Sequence, residues 1–176
     1  RPASEILRQW SSIHPEFSYL PRKFKIAVTG AESDRAAIQV HDIGLHLLKN
    51  AKGELGFAVY VGGGQGRTPM VAKKIRDFLP EEDLLAYCTA ILRVYNLEGR
   101  RDNKYKARIK ILVHEMGTEE LRQAVEAEFD ALKDSELKLP ESDIRAIEAY
   151  FAPPALPERA EGHGKLAAER KADAGF

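Results

Sequence analysis

The first apolar positions, Ile6, Leu7 and Trp10, recur at helical spacing and stop near His14-Pro15, where proline disfavours continuation. A short N-terminal helix is predicted. The period then drops to two. Lys23-Phe-Lys-Ile-Ala-Val-Thr29 sets Phe24, Ile26 and Val28 on one side and Lys23, Lys25 and Ala27 on the other, the pattern of a strand with both lysines on one face. Two further apolar runs, Asp42 to Leu48 and Leu55 to Val61, flank the turn residues Asn50 to Gly53 and read as a β-hairpin. The second run leads directly into Gly62-Gly-Gly-Gln-Gly-Arg-Thr68.

Beyond this loop the pattern reads as helical. Pro69 suits the first turn of a helix carrying Val71, Ile75 and Phe78. Pro80-Glu-Glu-Asp opens another, with Leu84, Leu85, Cys88, Ile91, Leu92 and Tyr95 on its apolar stripe and acids where the helix dipole favours them. Further helices are predicted over Lys104–Glu115, Thr118–Leu132 and Ser142–Phe151. After Ala152, three prolines and a Gly/Ala/Lys/Glu-rich stretch to Phe176 show no apolar periodicity, so 152–176 is expected to be a flexible linker or tail. The segments 1–20 and 21–151 are then an N-terminal helical segment and one α+β domain.

Composition narrows the class. The 176 residues carry 27 basic and 27 acidic side chains, and 44% are hydrophobic, as in an ordinary globular chain. Cys88 is the single cysteine, which excludes an internal disulfide and a CxxC zinc site and fits a reducing, cytoplasmic setting. No apolar run approaches the length of a membrane span, and no membrane partner is expected. The five histidines are scattered, so no metal site is expected within this chain. Zero net charge hides a segregation: Arg93 to Lys110 holds seven basic residues against Glu98 and Asp102, whereas Glu115 to Glu148 holds eleven acids against four bases. A basic cluster inside a neutral chain suggests a local anionic ligand rather than nucleic acid.

Two segments carry candidate chemistry. In Leu20-Pro-Arg-Lys-Phe-Lys25, Lys23 and Lys25 are placed to present two ammonium groups to one anion, each able to donate a proton. In Gly62 to Thr68, four glycines let backbone N–H groups approach an anion, with Arg67 and Thr68 adding donors. That loop matches neither the P-loop nor GxGxxG spacing. From these residues alone, a non-catalytic anion- or nucleotide-binding domain built on Gly62–Thr68 and the basic 100–110 segment remains an alternative.

Three blocks in order, Leu20-Pro-Arg-Lys-Phe-Lys25, then Val61-Gly-Gly-Gly64, then Gly99-Arg-Arg-Asp-Asn-Lys-Tyr-Lys-Ala-Arg-Ile-Lys110 followed by Gly117, resemble the siroheme-dependent nitrite/sulfite reductase family over about Ile6 to Phe129. The resemblance implies a mixed, mostly antiparallel sheet of about four to five strands covered by helices, with 21–151 as the siroheme-binding domain. It also implies an enzyme that reduces sulfite to sulfide, or nitrite to ammonia, by six electrons, using siroheme beside a 4Fe-4S cluster. By resemblance Lys23 and Lys25 bind the anion and help supply protons, while Arg22, Gly62, Gly63, Gly64, Gln65, Arg67, and Arg100 or Arg101 contact siroheme carboxylates. The family's cluster cysteines form two pairs that follow this region, and Cys88 cannot replace four ligands. The chain is therefore expected to be a fragment, inactive alone, whose partners are the remaining reductase domains and an electron-donor protein or subunit.

Overall fold

The computed structural model describes residues 1–12, 14–155 and 163–172. Its elements are α1 (Pro2–Ser12), β1 (Ile26–Thr29), β2 (Ile43–Lys49), β3 (Leu55–Val61), β4 (Lys73–Pro80), α2 (Leu84–Glu98), α3 (Ile109–Met116), α4 (Thr118–Leu132), α5 (Glu141–Tyr150) and α6 (His163–Ala172), with short 3₁₀ turns at Pro15–Tyr19, Ile38–Val40 and Glu81–Asp83. The strands form one sheet in the order β1-β2-β3-β4. β1 runs parallel to β2, and the other two pairings are antiparallel. The fold is thus α+β with a mixed, mostly antiparallel sheet, as expected.

One face of the sheet makes the core. Ile43, Leu45, Phe57, Val59, Val61, Ile75 and Leu79 are all buried, and they join Leu121, Val125 and Phe129 of α4 and most of α2 in a single cluster. α2 is buried nearly all round, from Leu84 to Tyr95. A helix apolar on every side belongs inside the molecule, and this one holds Cys88 with no exposed surface. On the other face of β2, the 3₁₀ turn at Ile38–Val40 lies so close to Gly44 that a Cβ there would sit 2.5 Å from the Ile38 carbonyl oxygen.

The structure corrects three expectations. The segment expected as a helix with Val71, Ile75 and Phe78 is the strand β4. Its pairing with β3 is interrupted between Phe57 and Val59 and again between Val59 and Tyr60, with the extra residues on the β4 side. Bulges of this kind break the alternation that marks a strand. β1 begins at Ile26, not Lys23. α3 begins at Ile109, because Asn103 turns the chain first, its side-chain oxygen accepting the Tyr105 N–H and its carbonyl the Lys106 N–H. Within the expected tail, 163–172 is helical, in keeping with its Ala, Leu, Lys, Glu and Arg content. The rest of that tail, 156–162 and 173–176, lies outside the described residues.

Candidate functional site

Asp42 is the junction on which the site is built. Its residue has no exposed surface and stands at the mouth of β2. One carboxylate oxygen, Oδ2, accepts the backbone N–H of Lys25 at 3.0 Å. Arg108 donates from Nε to Oδ1 at 3.1 Å and from Nη2 to both oxygens at 2.8 Å. The Asp42 carbonyl accepts the Gly62 N–H at 2.9 Å. A single residue therefore ties together the lysine segment, the glycine run and the basic segment before α3. Burial raises its carboxyl above the ordinary aspartate range, against the opposing pull of Arg108 and the Lys25 amide.

The lysine segment extends β1 without belonging to it. The Ile43 N–H bonds the Lys25 carbonyl at 3.1 Å, while the Asp42 carboxylate takes the place of a ladder partner for the Lys25 N–H. Lys23 and Lys25 are both exposed, and neither has an ion-pair partner among the described residues. Lys25 lines a small hollow of about 290 Å³ with His41, Gln65 and Arg108. Lys23 does not line it.

The three glycines after β3 owe their identity to close packing, and Gly62 also to a backbone φ of +91° that L side chains rarely adopt. A Cβ on Gly62 would lie 2.7 Å from Val113, one on Gly63 would lie 2.4 Å from the Gln39 carbonyl oxygen, and one on Gly64 would lie 2.9 Å from the Lys110 side chain. This corrects the reason expected from sequence. The Gly62 and Gly64 amides donate to Asp42 and Met70 within the chain, so they are not free to cradle an anion. The exposed side chains belong to the loop after them, Gln65 to Pro69, which a reciprocal pair of bonds between Gly64 and Met70 closes at its base, at 2.9 and 2.8 Å.

That loop and the basic segment face each other across a groove of about 1050 Å³. Arg22, Arg67, Lys104, Lys106, Arg108 and Lys110 line it, with Met70, Tyr105 and Ile111 as apolar surface and Glu115 as the acid. Gln65 and Arg108 line both this groove and the hollow that holds Lys25, so the two are contiguous. The walls are held from beneath by Tyr95 of α2, whose hydroxyl lies 2.7 Å from the Ala107 carbonyl and 3.2 Å from that of Arg22. Burial pushes this phenol up to about 12.

Of the residues expected from sequence, the structure brings together Arg22, Lys25, Gln65 and Arg67. Arg100 and Arg101 line neither cavity. Arg100 pairs with Asp102 and Glu115, and Arg101 donates to the Tyr19 and Asn96 carbonyls. Sequence reasoning missed Asp42 as an organising residue, although a lone acid opening an otherwise apolar strand was its signal. It also counted Arg108 and Lys110 as charge without giving them a place.

The family described as nitrite and sulphite reductase 4Fe-4S domain matches residues 1–132. The chain belongs to this family. Over 127 residues it is 42% identical to a ferredoxin sulfite reductase of Synechococcus elongatus, covering 67% of this chain and 20% of that protein. Over 141 residues it is 38% identical to the assimilatory ferredoxin-dependent nitrite reductase of Haloferax mediterranei, covering 77% and 23%. The structure of the Mycobacterium tuberculosis NirA protein superposes with a TM-score of 0.66 at 26% identity, over 73% of this chain and 23% of that one. The chain thus spans about a fifth to a quarter of the length of these relatives. Every groove residue falls inside the matched region of this nitrite and sulphite reductase domain.

Two cofactors of such reductases meet this donor set differently. A tetrapyrrole bearing many carboxylates fits the chemistry of a groove that combines basic side chains with apolar surface. An iron–sulfur cluster does not fit. It needs a set of thiolate ligands, while this chain has only Cys88, and no group of three or more His, Cys, Asp or Glu is arranged for a metal among the described residues.

Proposed function

We propose that this chain is the part of a sulfite or nitrite reductase that holds siroheme and presents the lysines that receive the substrate oxyanion. The observation that carries the reading is the groove, where Arg22, Arg67, Lys104 and Lys106, from three separate segments and without an acidic partner among the described residues, stand with Glu115 as the one unburied acid and open onto the Lys25 hollow. So concentrated a positive wall suits a polyanion rather than a neutral ligand. When bound, siroheme supplies the electron-transfer chemistry of the reduction.

The chain's own residues have three tasks in this reading. Arg22 and Arg67 pair siroheme carboxylates, with Gln65 as a neutral donor beside them, and Lys104 and Lys106 add charge at the rim. The Gly62–Gly64 run contributes by its thinness, allowing α3 and the basic segment to close on the loop. Lys25, and Lys23 with it, hold the oxyanion by charge, and their Nζ–H groups donate to the oxygen that leaves as water. The cluster cysteines, the rest of the active site and the docking surface for an electron donor belong to other parts of the reductase.

The test is an absorption titration with siroheme. Saturable binding by the wild-type chain, weakened about tenfold in Arg22→Ala/Arg67→Ala, is expected, since a pair of charge-assisted contacts contributes at least that much. Lys23→Ala/Lys25→Ala is expected to bind siroheme yet abolish turnover in the intact reductase. Failure of the folded wild-type sequence to bind siroheme, alone and within the intact reductase, would overturn the reading. Equal competition by inorganic phosphate at millimolar concentration would favour a general anion site.

A further inference from the structure

The loop 65–69 is exposed along its whole length, yet its conformation is held from below by one side chain. Lys110, the second residue of α3, is only 7% exposed. Its ammonium donates to the Gln65 carbonyl at 3.1 Å and to the Thr68 carbonyl at 2.6 Å, on either side of Gly66 and Arg67. It has no acidic ion-pair partner among the described residues. Burial and the neighbouring Arg108 both lower its pKa from the ordinary lysine value. A hydrocarbon side chain of the same length would fill this space at less electrostatic cost. What the ammonium adds is a pair of directed hydrogen bonds to a loop that is otherwise closed only at Gly64 and Met70. The absence of a Cβ on Gly64 gives the lysine stem room to pass beneath.

We propose that Lys110 is a positioning residue, a latch that fixes residues 65–69 so that Gln65 and Arg67 face the groove. The latch itself follows from the geometry; its consequence for ligand binding rests on the siroheme reading above. In this role Lys110 spends its donors on the protein backbone, and Arg67 meets the ligand. Releasing the latch frees two carbonyls to water and lets Arg67 swing away, at little cost to the core.

The experiment compares wild type, Lys110→Met and Lys110→Arg in the full 176-residue chain, by three measurements. Limited trypsin digestion, read by mass spectrometry at the Arg67–Thr68 bond without siroheme, reports loop opening. Cleavage about tenfold faster in Lys110→Met is expected from loss of hydrogen bonds to a charged donor. The thermal midpoint is expected to be unchanged or higher in the same variant, and siroheme affinity measured by absorption to fall about tenfold. Lys110→Arg, which keeps charge and donors, is expected to restore slow cleavage, and it carries the test if Lys110→Met does not fold. Weaker siroheme binding with unchanged cleavage would mean that Lys110 touches the ligand directly and would overturn the latch. Faster cleavage with unchanged affinity would overturn its positioning role. If wild type binds no siroheme, the siroheme reading fails while the cleavage rates still decide whether Lys110 latches the loop.

Discussion

Arg108 and Asp42, 66 residues apart in sequence, meet through three N–H···O contacts of 2.8 to 3.1 Å in which the carboxylate side chain is 1% exposed and the arginine 20%. The pair joins the start of α3 to the start of β2 and brings the basic segment against the lysine segment. Such a pair is costly to bury and costlier to break, because a lone partner leaves an uncompensated charge.

Arg108→Met is therefore expected to destabilise the fold by about 3–5 kcal/mol near neutral pH, and Asp42→Asn/Arg108→Met to recover most of it, as measured by urea unfolding. The sign of the pH dependence follows from the raised Asp42 carboxyl. Without Arg108 its folded pKa lies still further above the unfolded value, so the folded state binds the proton more tightly. Stability of Arg108→Met should then rise as pH falls from 7 toward the ordinary aspartate range. A single variant as stable as wild type at pH 7 would show that the pair does not hold the walls.

Gly63 and Gly64 differ in what a methyl group would strike. At Gly63 it meets the carbonyl oxygens of Gln39 and His41 at 2.4 and 2.6 Å, which are fixed backbone. At Gly64 it meets the Lys110 stem at 2.9 Å and an Arg108 nitrogen at 3.2 Å, both on side chains that can shift. Gly63→Ala should cost about 3 kcal/mol and Gly64→Ala about 1 kcal/mol in urea unfolding. The reverse order would mean that the lysine and arginine beneath the loop are the stiffer wall.

What the sequence made legible was local. The β2–β3 hairpin, the buried helix opened by Pro80-Glu-Glu-Asp and the helix begun by Thr118 appear where periodicity and turn residues place them. β4 was hidden because Ile75 and Leu79, the two buried residues of that strand, are four apart and fit both periods, while two bulges remove the alternation around them. In the site, exposed cations on recognisable segments were visible as candidates. The relations that organise them were not, since Asp42 with Arg108 and Lys110 with Thr68 are contacts across 66 and 42 residues that no local pattern encodes. The glycine run was found by composition, but its reason is steric and depends on α3 and the 38–41 segment arriving against it.

Arg93 of α2 bridges two carboxylates, Glu16 through Nε and Nη2 at 2.9 and 2.8 Å and Glu128 through Nη1 at 2.9 Å. The Arg93 hydrogen bonds hold the Glu16 carboxyl below the ordinary glutamate range. A depressed folded pKa contributes stability above the unfolded value, and that stability is lost as pH falls through the folded one. Both side chains are about a third exposed, so solvent limits the contribution to about 1 kcal/mol or less. Arg93→Met should accordingly flatten the acid limb of stability between about pH 5 and pH 3 and leave its midpoint less sensitive to salt. An unchanged limb would assign the acid lability to other carboxylates.

Cys88 sits in the middle of α2 with no exposed surface, and burial pushes its thiol up to about 12. Thiolate chemistry requires both ionisation and access, and the native fold withholds both. An aromatic disulfide reagent at pH 8 is expected to titrate no thiol in the native chain and one in urea, with the native reaction slowed to the rate of unfolding. The same burial bears on the iron–sulfur cluster of the family. Bringing Cys88 to a cluster would require withdrawing α2 from the core, so Cys88→Ala should leave the proposed siroheme binding unaffected and cost only a small cavity's worth of stability, about 1 kcal/mol. Rapid native labelling, or loss of siroheme binding in Cys88→Ala, would show instead that α2 opens and that this thiol reaches the cofactor side of the domain.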